Sequence, residues 1–262
     1  MSEQRDVTLE DMDNGIYRIR LNRPERLNAL GMDSVVALKA CVAEAAARHA
    51  RVLLVQGTGR AFSAGADLKE RKGMDLAGKL EHNAHIRAAI DALGTARCVT
   101  VAVLNGLALG GGTELALACD LRIAAAGISL GLTESRIGAF PGAGGTQRLP
   151  RIVGVSRALQ LMLTGEAVSS EYALSIGLVN EVAAAEELDA RAEALARLLA
   201  GRSATALAAI KRLVHQGIEL PLQAALQLER AALPEILGSA DYAEGLAAFA
   251  EKRAPVFTSV LP

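Results

Sequence analysis

Apolar and polar residues alternate from Val7 to Met12 and from Ile16 to Leu21, the period of strands covered on one face. Asp13-Asn14-Gly15 between them supplies residues that tolerate positive φ, so a hairpin is expected. From Met32 to Ala47 the apolar positions Val35, Val36, Leu38, Val42 and Ala46 recur at helical spacing. Val52-Leu53-Leu54-Val55 and Val99 to Leu104 are continuous apolar runs, the mark of strands buried on both faces, and Leu121 to Ala125 reads as a third. Helical stretches run from about Asp75 to Leu93 and from Thr113 to Cys119. Repeated strand–loop–helix units predict an α/β fold with parallel strands.

After Gly142 the pattern changes. Glu186 to Leu199, Ala204 to His215, Leu222 to Leu237 and Asp241 to Lys252 are helical by period. The expected organisation is a core over 1–195 and a C-terminal helical region over 196–262, packed together because no low-complexity linker separates them. Long apolar faces on these helices point to burial against another subunit.

Composition narrows the function classes. A chain of 262 residues supports one sizeable core. The formal net charge of -1 offers no basic excess for nucleic acid and no polybasic membrane anchor. No apolar run is long enough to span a bilayer, and the polar, acidic start is unlike a secretory or transit leader. Cys41, Cys98 and Cys119 are odd in number and far apart, as expected of reduced thiols in a cytoplasmic protein.

Two glycine loops follow buried strands: Gly57 to Asp67, and Asn105 to Glu114. Both are expected at the carboxyl edge of the sheet, where α/β proteins bind ligands. The second runs into a helix whose unpaired amides favour negative charge. Amides converging from two loops would form an oxyanion hole, although three glycines in a row also suit a tight strand-to-helix turn. Glu114 falls in the first turn of that helix, where a carboxylate also complements the helix N-terminus. Glu134 lies in a polar island, Gly131 to Gly138, where it could equally pair with Arg136. Spacing alone does not bring these two carboxylates together.

Other chemistry is weakly supported. Gly127-Ile-Ser129-Leu-Gly131 matches a nucleophile-elbow pattern with Asp189 and His215 downstream, but no helix follows the serine. His82 and His85 share a helical stretch without a third ligand nearby, so a solvated surface and no metal are expected. Neither glycine loop contains G-x-G-x-x-G or G-K-[ST].

The strings Asn22 to Leu30, Ala61 to Lys69, Asn105 to Glu114, Gly131 to Arg148 and Glu244 to Arg253 resemble the enoyl-CoA hydratase/isomerase (crotonase) superfamily, in the family's order and over nearly the whole chain. The resemblance implies a core of repeated ββα units, a helical C-terminal region and trimers paired into hexamers. It implies oxyanion-hole amides at Ala66 and Gly111, and Glu114 and Glu134 as the two hydratase glutamates. Gly142 would line the acyl pocket. Ala64, Asp67, Leu68 and Lys69 would border the bound CoA, and Lys252 would approach its nucleotide, in some members from a neighbouring subunit. Gly65 to Arg71 and Leu115 to Arg122 look closest to the methylglutaconyl-CoA hydratase branch. The implied activity is hydration of a 2-enoyl-CoA, with 3,2-enoyl-CoA isomerisation the alternative and no cofactor beyond the CoA of the substrate. RNA binding, known in one relative of that branch, is not expected, since Lys39 is the only lysine between Gly31 and Ala47.

Overall fold

The computed structural model describes residues 5–261. The hairpin forms as expected: β1 (Val7–Asp11) pairs antiparallel with β2 (Ile16–Leu21), and Asp13, Asn14 and Gly15 all take positive φ. Helix α1 (Met32–Ala47) follows. Then the chain repeats one unit. β3 (Val52–Gly57) and β4 (Ala61–Ser63) lead to α2 (Leu68–Arg71) and α3 (Leu76–Gly94). β5 (Val99–Leu104) and β6 (Leu107–Leu109) lead to α4 (Gly111–Ala118). β7 (Leu121–Ala125) and β8 (Ser129–Gly131) lead through a 3-10 turn, Glu134–Ile137, to α5 (Gly145–Val153) and α6 (Val155–Thr164). The remainder is β9 (Val168–Ser169), α7 (Ser170–Ser175), β10 (Glu181–Ala183), α8 (Leu188–Ala200), α9 (Ala204–Gly217), α10 (Leu222–Leu237) and α11 (Ala240–Glu251).

The first strand of each unit enters a six-stranded sheet of order β1-β2-β3-β5-β7-β10, parallel apart from the hairpin. The second strand enters a four-stranded sheet, β4-β6-β8-β9. This is the repeated ββα core. The continuous apolar runs are explained by burial on both faces. Leu53, Val55, Ala102 and Leu104 join the core under α1, α3 and α4. The alternate residues Val52, Leu54, Val101, Val103 and Ile123 pack with Leu188, Ala192 and Ala196 of α8. The expected boundary at 195/196 therefore falls inside a helix that covers the large sheet.

Two segments differ from the pattern reading. The strands β4 and β6 of the small sheet lie within the stretches that read as glycine loops, and β8 and β9 gave no strand signal either, because two or three residues are too few to display a period of two. Helices α5 and α6 lie in a region that gave no clear helical signal. Glycine opens α5 and Pro150 interrupts it, while α6 leaves Val155, Leu159 and Leu163 exposed.

His82 requires a correction. It is fully buried rather than solvated, and only His85 of that pair is exposed. Helix α3 packs against α1, and the buried residues Ile86, Ala89, Ile90 and Leu93 share the inward stripe that takes in His82.

Candidate active site

The two glycine loops meet because Gly65 has no side chain. At φ +86 a Cβ there would lie 2.7 Å from the Leu109 carbonyl oxygen and 2.9 Å from the Gly111 nitrogen. This contact presses the loop after β4 against the start of α4. Leu30 fixes its orientation: the Leu30 N–H donates to the Gly65 carbonyl (2.7 Å), and the Asp67 N–H donates to the Leu30 carbonyl (3.2 Å). In such a parallel bridge the Ala66 amide faces away from Leu30. Neither the Ala66 nor the Gly111 N–H donates a hydrogen bond among the described residues. A Cβ on Gly111 would sit 3.4 Å from the Ala66 nitrogen, so the two amides lie close together at the positive end of α4.

Glu114 stands one turn further along α4 and is 3% exposed. Its Oε1 accepts hydrogen bonds from the Ala143 N–H (2.7 Å) and the Gly145 N–H (2.8 Å). A side chain at Gly145 would collide with Pro141, Leu132 and the Glu114 stem, which explains the glycine there. Burial raises the Glu114 pKa, opposed by those two amides and by the guanidinium groups of Arg148 and Arg71.

Glu134 arrives from the other side. Pairing of β6 with β8, and the Gly110 N–H donating to the Gly131 carbonyl (2.9 Å), bring the following turn to the mouth of α4. The Thr113 hydroxyl lies 2.8 Å from the Ala108 carbonyl oxygen and 2.9 Å from that of Gly131, securing the same junction. A Cβ on Gly110 would be 2.9 Å from Glu134 Oε1, so this glycine provides room for the carboxyl group as well as a φ of +51. Glu134 Oε2 is buried without a hydrogen-bond partner. Burial, with the nearby Glu114 charge adding to it, pushes the Glu134 pKa up to about 7 against the opposing effects of a backbone amide and Arg71. Glu134 makes no ion pair with Arg136 among the described residues. The two glutamates thus differ in kind: one is held by amides, the other has a buried bare oxygen and a raised pKa.

That difference has a consequence for stability. A carboxyl at about 7 in the folded protein against an ordinary 4.5 binds extra protons between those values, so its stabilising effect is lost as pH rises through 7. Glu134→Gln removes the titration. Its melting temperature is expected to gain on the parent by a few degrees between pH 5 and pH 8. A difference that stays constant across that range contradicts the raised pKa.

The remaining expected residues are placed as follows. Ala64 donates its N–H to the Leu27 carbonyl (2.9 Å), and Leu68 and Lys69 are exposed at the start of α2. The Asp67 carboxylate turns inward instead, capping α2 by accepting from the Lys69 and Glu70 amides and pairing with Arg23. Gly142 faces Asn83, which lies 3.2 Å from the Cβ it lacks. Lys252 ends α11, is exposed, and takes a left-handed conformation at φ 56. Ser129, Asp189 and His215 do not assemble: Ser129 is exposed in β8, Asp189 accepts from Gln56, and His215 contacts Asp120.

Residues without an assigned role in the sequence reading surround the glutamates. Arg71 donates through Nε to His82 Nδ1 (3.2 Å) and through Nη2 to Asn83 Oδ1 (3.4 Å). Arg148 donates through Nη1 to the Ala143 carbonyl (3.1 Å) and through Nη2 to Asp91 (2.7 Å). A polar Arg–His–Asn set spread over α2 and α3 has no local spacing signature.

Comparison with known proteins places nearly the whole chain in one family. The family model Enoyl-CoA hydratase/isomerase matches residues 11–260. Human enoyl-CoA hydratase domain-containing protein 2, mitochondrial, is 42% identical over 94% of this chain and 86% of its own. The putative enoyl-CoA hydratase/isomerase YngF of Bacillus subtilis is 40% identical over 92% and 94%. The crystal structure of an enoyl-CoA hydratase from Bacillus anthracis superposes with a TM-score of 0.93 at 38% identity, covering 96% of this chain and 98% of that one. The chain belongs to the enoyl-CoA hydratase/isomerase family.

Proposed function

We propose that the protein is an enoyl-CoA hydratase, adding water syn across the 2,3 double bond of a 2-enoyl-CoA. The observation that carries this reading is the unlike state of the two glutamates: Glu114 Oε1 takes two amides, whereas Glu134 holds a buried bare oxygen and a pKa of about 7. The amides of Ala66 and Gly111 would bind the thioester oxygen, where charge accumulates as water attacks C3. Each donor aimed at such an oxyanion contributes about 3–4 kcal/mol to the transition state. Glu114, its Oε1 occupied, orients the water through Oε2 and takes its proton. The π electrons move to the enolate, which collapses as the protonated Glu134 delivers a proton to C2. One proton enters the pair and one leaves it, so the reaction starts and ends with a single proton on the two carboxyl groups.

A 3,2-isomerase manages with one carboxylate, and the presence of two unlike ones favours hydration. Buried Leu132, against Gly145 and beside Glu114, gives the site an apolar wall. Ala64, Leu68 and Lys69 would border the CoA, with Asp67 supporting their loop, and Lys252 would approach the nucleotide. The thioester itself supplies the activation, so no further cofactor is invoked. Three unpaired, buried cysteines suit a reducing, cytoplasmic setting. No helix among the described residues is long and apolar enough to cross a membrane. The test is a panel of 2-enoyl- and 3-enoyl-CoA esters, followed by the conjugated-thioester absorbance and by mass spectrometry for the gain of one water. Hydration of at least one is expected, and 3-enoyl to 2-enoyl conversion without hydration would overturn the reading in favour of the isomerase.

Exposed Leu163, Ile210, Val214, Leu222, Leu237 and Phe249 support the proposal of a homotrimer or homohexamer. Light scattering at micromolar concentration is expected to give at least a trimer, and a monomer would contradict it.

A further inference from the structure

The peptide between Gly142 and Ala143 is held at both ends. Its N–H donates to Glu114 Oε1 (2.7 Å), and its carbonyl oxygen accepts from Asn83 Nδ2 (3.2 Å). Asn83 can adopt only one orientation, because Arg71 offers donors alone and a carbonyl offers an acceptor alone. Its Oδ1 therefore takes Arg71 Nη2 (3.4 Å) and its amide group faces Gly142. The absence of a side chain at Gly142 permits this approach.

The other arm of Arg71 is equally determined. Arg71 Nε–H must donate, so His82 Nδ1 accepts (3.2 Å), which puts the ring proton on Nε2, and this donates to the Leu30 carbonyl (2.9 Å). Burial favours the neutral imidazole that this arrangement requires. Leu30 is the residue bridged to Ala66. One guanidinium thus connects the turn that holds Glu114 with the loop that presents the Ala66 amide.

We propose that Asn83 and Arg71 are positioning residues, which fix the Gly142–Ala143 peptide so that its N–H stays aimed at Glu114 and keeps that glutamate ionised. Polarising the carbonyl end of a peptide strengthens the hydrogen bond made by its N–H, and a hydrogen bond to a carboxylate favours the charged form. The charged groups acting on Glu114 are Arg71 from α2, Arg148 from α5 and Glu134 from the turn after β8. His82 on α3 is buried and neutral, so it adds geometry rather than charge. The role assigned to Glu114 rests on the hydratase reading above, but the holding of its carboxylate does not.

The test therefore begins without substrate. In protein labelled with carbon-13 at the glutamate carboxyl groups, the Glu114 signal is identified by its loss in Glu114→Gln and then titrated. In Asn83→Ala its midpoint is expected to rise. Arg71→Lys retains the charge but lacks the fixed fork that reaches His82 and Asn83 together, so the same direction is expected there, and this variant carries the test if Asn83→Ala does not fold. With an enoyl-CoA that the parent hydrates, kcat is expected to fall about ten- to hundredfold at near-constant KM, the range produced by small misplacements of catalytic groups. A Glu114 midpoint equal to the parent's in the folded variants overturns the proposal. A parent-like midpoint in Arg71→Lys alone removes Arg71 from it, leaving that residue as charge only. Failure of the parent to hydrate any ester would sink the hydratase reading while the titration still decides this one.

Discussion

Glutamine at position 114 or 134 is expected to lower kcat by about two to four orders of magnitude, the usual contribution of a positioned acid or base. The substitution keeps the shape of each side chain. At 114 a side-chain oxygen can still accept from Ala143 and Gly145, so the turn that those amides anchor should survive. At 134 the neutral amide replaces a group whose ionisation is already opposed by burial. On the proposed reading neither side chain grips the CoA, so affinity for the thioester should change little. Combining the two substitutions is expected to cost far less than the product of the single effects, because water addition fails once either proton transfer is lost. Fully multiplicative losses would mean that the two glutamates contribute independently of one another.

Ala66→Pro is the second large effect. Proline removes one of the two amides that converge at the mouth of α4, while the flanking bonds of Gly65 and Asp67 to Leu30 involve neither lost atom. Turnover is expected to drop by about two to three orders of magnitude, as for removal of a single oxyanion donor. Proline also restricts the preceding residue, and Gly65 sits at φ +86. Thermal melting and CoA affinity must therefore be measured alongside. Unchanged turnover in a folded variant would show that this loop does not face the thioester.

The centre of the large sheet was legible because β3 and β5 are buried on both faces: runs such as Val52–Val55 carry the signal in composition alone. The small sheet was not, since each of its first three strands has three residues. The glycine loops were legible because positive φ and close approach demand glycine there: Gly65 where the two loops meet, Gly110 where the Glu134 carboxyl group lies. Juxtaposition of Glu114 with Glu134 was not legible from spacing. It depends on the pairing of β6 with β8 and on the bond from Gly110 to Gly131, which are long-range events. His82 and Asn83 were harder still. On a helix pattern two polar residues read as solvent-facing, and only the packing of α3 turns His82 inward to meet Arg71.

Exchange of the C2 proton separates the two glutamates most directly. The hydrated product, a 3-hydroxyacyl-CoA, is incubated with each glutamine variant in deuterated buffer near pH 8, and deuterium at C2 is followed by mass spectrometry. Above a pKa of about 7, Glu134 is ionised and, on the proposed mechanism, would remove that proton while the Ala66 and Gly111 amides stabilise the enolate. On that mechanism expulsion of the 3-hydroxyl requires Glu114, whereas exchange at C2 does not. The expected result is exchange that persists in Glu114→Gln and disappears in Glu134→Gln. Retention of both hydration and C2 exchange in Glu134→Gln would contradict the assignment and leave Glu134 without a part in the chemistry.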